Sequence, residues 1–145
     1  MTPNGALTAV ISRLTAAGLV QARSPLGVSN ASSQRINRSF AVLPSSISPS
    51  SSPGRGKPTA SGLRMTQVFN VQLGHQLKPA DGQEAPSQAL QDFQLAVKHL
   101  SANATTLTQE GAIIIGNASH SYVGGGAFLV TSFSLNVTYE MSLVI

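Results

Sequence analysis

The C-terminal part of the chain carries its clearest pattern. From Phe133, the residues Leu135, Val137, Tyr139, Met141 and Leu143 alternate with Ser134, Asn136, Thr138, Glu140 and Ser142. Strict alternation predicts a strand with one face buried and the other polar, and the pattern extends back to Phe128. Thr66 to Leu73 repeats it, with Phe69, Val71 and Leu73 set against Asn70 and Gln72. Arg38 to Leu43 predicts a shorter strand with Phe40 and Val42 on one face. Gly111 to Asn117, around Ile113-Ile114-Ile115, predicts a buried one, and His120 to Gly126 a turn.

Two stretches carry a helical period instead. Leu7, Val10, Ile11, Leu14 and Gly18 recur at three- and four-residue spacing, predicting a helix from Asn4, its expected N-cap, to about residue 21. Ser87 to Leu100 predicts a second helix with Leu90, Phe93, Val97 and Leu100 as its buried stripe and Ala89 and Ala96 beside it. Asp92 toward its start and Lys98 and His99 toward its end suit the helix dipole. Residues 22–37 and 74–86 read as loops. The expected fold is α+β over 1–145, a single assembly domain with a four-stranded, mainly antiparallel sheet flanked by two helices.

Between the strands at 38–43 and 66–73 lies Pro44 to Gly62, rich in serine, proline and glycine. Such a tract cannot build a core of its own. It reads as a long flexible hairpin loop, and a connection this long in a compact domain points to a functional role such as partner contact.

Composition shifts the picture toward assembly. Charged residues make up only 10% of the chain, against roughly 25% in an average soluble domain. Serine, threonine, asparagine and glutamine fill the deficit, as suits a surface covered by neighbours. Charge is also segregated. Residues 1–64 hold Arg13, Arg23, Arg35, Arg38, Arg55, Lys57 and Arg64 and no acid, whereas Asp81, Glu84, Asp92, Glu110 and Glu140 all lie beyond. A positive face meeting a negative one between subunits explains this, as does a basic surface facing nucleic acid.

Little in the sequence points to catalysis. With no cysteine, disulfides and thiolate metal sites are excluded. His75, His99 and His120 have no second histidine or acid at ligand spacing and read as solvated surface residues. Gly124-Gly125-Gly126 precedes a strand, so it lacks the helix N-terminus of a phosphate cradle. No catalytic residue, metal or cofactor is expected. No apolar run approaches a membrane span. The acid-free, Arg- and Ser-rich N-terminus has the character of a transit peptide. Triplets of the form Asn-x-Ser/Thr at Asn30, Asn37, Asn103, Asn117 and Asn136 fit chance in a chain of this composition.

Four segments carry a resemblance: Arg38 to Val42 leading into a long polar hairpin loop, the returning Phe69 to Leu73 strand, the Gln88 to Leu100 helix, and the terminal Phe133 to Glu140 strand. Their layout resembles the tail terminator proteins of long-tailed bacteriophages. The resemblance implies a non-enzymatic virion protein, made in the host cytoplasm and forming a hexameric ring. That ring would cap the tail tube, stop its polymerisation and join it to the head-completion or stopper protein. The implied partners are copies of the chain, the tail tube protein and the head-completion protein, with DNA in the channel as a further contact. Interface candidates are Arg38, Arg55, Lys57 and Arg64 on the basic side and Ser134, Asn136 and Thr138 on the polar strand face. The loop's length and the basic N-terminal half depart from the family's pattern. Another neck component, a tail tube subunit, and a nucleic-acid-binding or organellar protein are the other readings.

Overall fold

A computed structural model describes residues 2–22, 37–49, 62–76, 84–101, 113–123 and 128–142. The elements run α1 (Pro3–Ala16), β1 (Val20–Gln21), β2 (Ser39–Pro49), β3 (Gly62–Gln76), α2 (Glu84–Ser101), β4 (Ile113–Val123) and β5 (Phe128–Ser142). The strands form one mixed sheet in the order β1-β2-β3-β5-β4, in which β1 is parallel to β2 and every other pair is antiparallel. The α+β class and the two helices agree with the sequence pattern, but the sheet has five strands.

The extra strand is β1. Two residues have no periodicity to detect, and β1 exists because Val20 N–H donates to Arg38 O (3.1 Å) and Ala22 N–H to Phe40 O (2.7 Å). It is reached by a sharp reversal after α1. Gly18, expected on the helix's apolar face, instead adopts φ +91°, a left-handed conformation that glycine takes without penalty at a helix end. At the other end, Thr2 Oγ1 accepts from Gly5 N–H (3.0 Å) with Pro3 in the first turn, so Thr2 and not Asn4 is the N-cap.

β3 and β5 pair without interruption from Gly62↔Ser142 to Gln76↔Phe128. Their odd-numbered side chains share one face, and both helices lie on it. Phe69, Val71, Leu73, Phe133, Leu135, Val137 and Tyr139 pack there with Ala6, Val10 and Leu14 of α1 and Ala96 and Leu100 of α2. Phe93 and Phe133 meet edge to face at 5.3 Å between ring centroids. A polar pair also enters this core: Tyr139 Oη donates to Gln67 Oε1 at 2.8 Å, and burial raises the tyrosine pKa. On the opposite face a smaller cluster of Ala41 and Val130 is flanked by Ala22, Val123 and Phe128.

Several boundaries move. β2 continues through Pro44–Pro49, paired from Pro44↔Phe69 to Pro49↔Met65 with a bulge between Pro44 and Ser46. β3 starts at Gly62, so the ends of the expected 44–62 loop are ladder, and residues 50–61 lie outside the described residues. Backbone pairing overrode a local composition poor in strand formers, and the prolines are tolerated because β2 is near the sheet edge. The Ile113 strand runs on to Val123, so residues 120–123 are strand and not turn. As an edge strand, β4 is exposed along most of its length and has no fully buried residue, against the expectation of a buried strand. Finally, α2 starts at Glu84 and turns Ala89, Asp92, Ala96 and Leu100 inward, leaving Leu90 59% exposed.

Two substitutions test this description in urea melts. Phe133→Ala should cost about 3–5 kcal/mol, as core aromatic truncations do. Gly18→Ala has open space around the new methyl but an unfavourable φ, and should cost about 1–2 kcal/mol.

Candidate functional site

The densest polar arrangement joins three elements beneath the N-terminal half of α2. Asp92, on the sheet-facing side of α2, is completely buried. Its Oδ1 accepts from Arg38 Nη2 (2.9 Å) and Gln88 Nε2 (3.0 Å). Its Oδ2 accepts from Arg38 Nε (3.1 Å) and contacts His75 Nε2 at 2.7 Å. Arg38 precedes β2, His75 lies near the end of β3, and Gln88 is one helical turn before Asp92. The cluster therefore pins α2 to the sheet where β2 begins and β3 ends.

Its electrostatics are decided by the partners. Burial alone would push the Asp92 carboxyl up. Hydrogen bonds from Arg38, His75 and Gln88, together with the Arg38 charge, outweigh it and hold the group below its ordinary range. The same hydrogen bond and charge raise Arg38 further above its usual value. Arg38 occupies φ +53°, a conformation costing about 1–2 kcal/mol for a non-glycine residue. The fork to Asp92 and the bond from Val20 N–H to Arg38 O offset that strain.

Chemically the cluster is a clasp. The carboxylate accepts two contacts on each oxygen, which fills its lone-pair directions and leaves none to take a substrate proton. His75 Nε2 is committed to Asp92, and His75 Nδ1 is buried with no hydrogen-bond partner among the described residues. Ser39, the nearest hydroxyl along the register, pairs with Gly74 and so points to the face opposite His75. Among the described residues no group of three His, Asp or Glu could hold a metal ion.

These facts correct the reading of His75 as a surface group, whereas His120 is exposed and His99 partly so. His75 is fully buried in a strand. His120 lies in β4, with Nδ1 2.9 Å from Thr131 Oγ1. His99 is at the end of α2, where its carbonyl accepts from Arg13 Nη1 at 2.9 Å, tying α1 to α2. No spacing rule finds an Arg38–His75–Asp92 set, because its members are far apart in sequence.

The interface candidates fall into three groups. Arg38 belongs to the clasp, so its charge is already paired within the subunit. Arg55 and Lys57 lie outside the described residues. Arg64 sits opposite Glu140 in the β3–β5 register, on the face away from the helices. Ser134, Asn136 and Thr138 line that same face. The Ser134 hydroxyl packs over Gly116, where a side chain would collide with it. The Thr138 hydroxyl meets that of Thr66 at 3.2 Å, and Asn136 lies between Val68 and Ile114.

At the far side of α2, Pro86, Leu90, His120, Tyr122 and Leu129 line an open apolar pocket of about 220 Å³ beside the β4 edge. No helix among the described residues is long and apolar enough to cross a membrane. No protein-family model matches the chain, and no curated protein matches it in sequence.

Acid titration reads out the clasp. Because the folded-state Asp92 pKa is depressed from 3.8, its stabilisation is complete above that value and is lost as pH falls through the lower folded value. Asp92→Asn should therefore flatten the acid limb of the stability profile. Asp92→Ala, which strips His75 and Arg38 of their acceptor, should cost about 3–5 kcal/mol at neutral pH. Both are measured by denaturant titration at a series of pH values.

Proposed function

We propose that this protein is a structural subunit that works by assembling with copies of itself, as a virion ring that terminates a phage tail tube and joins it to the head. The observation that carries the reading is the character of the sheet's free surfaces. One face is covered by α1 and α2. Across the middle of the other, Thr66, Asn70, Gln72, Ser132, Ser134, Asn136 and Thr138 present uncharged polar groups. None of β1, β2 and β4, the strands that form the two edges of the sheet, contains a lysine, arginine, aspartate or glutamate.

Large contacts between such surfaces need few ions desolvated, which suits repeated contacts between copies. The order of strand, hairpin, returning strand, helix and long terminal strand on which the resemblance rests is also the order of the folded elements. A nucleic-acid reading is weakened at Arg38, whose guanidinium is engaged by Asp92. The ring's partners remain the tail tube protein, the head-completion protein and neighbouring copies. Arg55 and Lys57 are proposed to meet their carboxylates or, failing that, DNA in the channel.

Particle imaging tests the reading directly. A sixfold ring containing this chain between tail tube and neck supports it, and tails that mature without the chain overturn it. Asn136→Trp, a bulky group on the polar face, should block ring assembly while leaving the circular dichroism spectrum and melting point of the subunit unchanged. Normal tails from that variant would refute a role for this face.

Replacing residues 50–61 with a short Asn-Gly turn keeps both ladder strands through Pro49 and Gly62. That variant should fold, yet fail to complete tails or join them to heads in a complementation assay.

A further inference from the structure

The two edges of the sheet differ in what they offer another strand. Val20 and Ala22 donate to Arg38 O and Phe40 O, so residues 38 and 40 turn their backbone groups outward from β3. By alternation Val42 and Pro44 do the same. Beyond the bulge, Ser46 and Ser48 pair with Val68 and Thr66, which turns Ile47 and Pro49 outward. Both prolines in β2 thus stand where an outward N–H would be, and β1 already covers the start of the strand. This edge is guarded against pairing.

Among the described residues, β4 has neither a proline nor a strand covering it. In its regular stretch, Ser119, Ser121 and Val123 pair opposite Ser132, Val130 and Phe128, whose backbone groups face β4, so Ala118, His120 and Tyr122 turn theirs outward. None is proline, lysine, arginine, aspartate or glutamate, and Tyr122 is 63% exposed. A single bulge, between Ile115 and Ala118, interrupts the edge. On the helix side of the same edge lies the apolar pocket of Pro86, Leu90, His120, Tyr122 and Leu129.

We infer that the β4 edge pairs antiparallel with the β4 edge of a second copy, joining two five-stranded sheets into one around a twofold axis at His120. Such an axis stands normal to the sheet, so residues opposite each other share a face. With His120 opposite its own copy, Tyr122 falls opposite Ala118 of the partner subunit, a large side chain against a small one. The three outward residues on each strand then exchange about six backbone hydrogen bonds. Both helix layers come to the same side of the joined sheet, and the two apolar pockets flank the axis there.

A second copy fits this edge better than the alternatives within reach. The edge has no charge to select an acidic or basic partner, and the protein's other edge is proline-guarded. β4 is self-complementary in both hydrogen bonding and side-chain size about His120. The pair goes beyond the ring reading and does not depend on it. A twofold pair is closed, so it describes the free subunit and must open before single subunits enter a cyclic ring.

The absence of cysteine makes the test clean. Opposed residues across an antiparallel pair lie about 4.5–5.5 Å apart at Cα, within disulfide reach. Purified His120→Cys protein should oxidise to a covalent dimer, and Ser46→Cys, on the exposed part of β2, should stay monomeric. The unmodified chain should sediment as a dimer at concentrations on the order of 100 µM. Tyr122→Lys, a surface change that spares the ladder to β5, should weaken dimerisation at least about tenfold. A chain that stays monomeric, or a dimer that cross-links through Ser46 and not His120, overturns the inference. So does a dimer that Tyr122→Lys leaves intact. None of these outcomes bears on whether particles contain a ring, which imaging decides separately.

Discussion

The fold depends on the pairing of β3 with β5. These two strands run the full height of the sheet in unbroken register, and every odd-numbered side chain they share points at the helices. A one-residue slip would turn Phe69, Val71, Leu135 and Val137 to the polar face, so the register is strongly specified. Among the described residues, the core that α1 and α2 cover is this face. β2, with β1 beyond it, flanks β3, and β4 flanks β5 on the other side.

The Arg38–Asp92–His75 clasp then decides how the helix layer sits. It turns Asp92 toward the sheet, which brings Ala89, Ala96 and Leu100 inward and rolls Leu90 out toward β4. A buried carboxylate stabilises only when all of its hydrogen bonds are met, and here four donors meet it. The arrangement makes the helix orientation specific, at the expense of strain at Arg38 and an unmatched Nδ1 on His75. The rolled-out Leu90, with Tyr122, leaves an apolar surface at the β4 edge. The packing inside the subunit and the character of its surface are therefore linked through one helix rotation.

That surface is unusual in carrying so few charges. Natural sheets protect exposed edges with lysine, proline or bulges. β2 has prolines aimed outward, whereas β4 has a bulge and uncharged side chains. The proposed assembly role needs surfaces that bind without large desolvation costs and that keep unwanted pairing in check until assembly. A guarded edge and an open edge on one sheet meet both demands.

Strict alternation in β5 and β3, and the helical repeats of α1 and α2, were legible in the sequence because each is a local consequence of burying one face. From them alone came the α+β class, the inner faces of the central strands and the polar row of Ser134, Asn136 and Thr138. Local pattern could not reveal β1, a two-residue strand made by backbone bonds to Arg38 and Phe40. It also misjudged Pro44–Pro49, where pairing to β3 overrides composition, and it turned α2 by its leucines when a buried aspartate sets the rotation. The clasp was invisible for the same reason: Arg38, His75 and Asp92 are brought together only when β2, β3 and α2 meet. Sequence by itself determined which faces of the central elements seek a core. Tertiary structure decided which edges stay open and which charges are already spent, because those depend on contacts between residues distant in the chain.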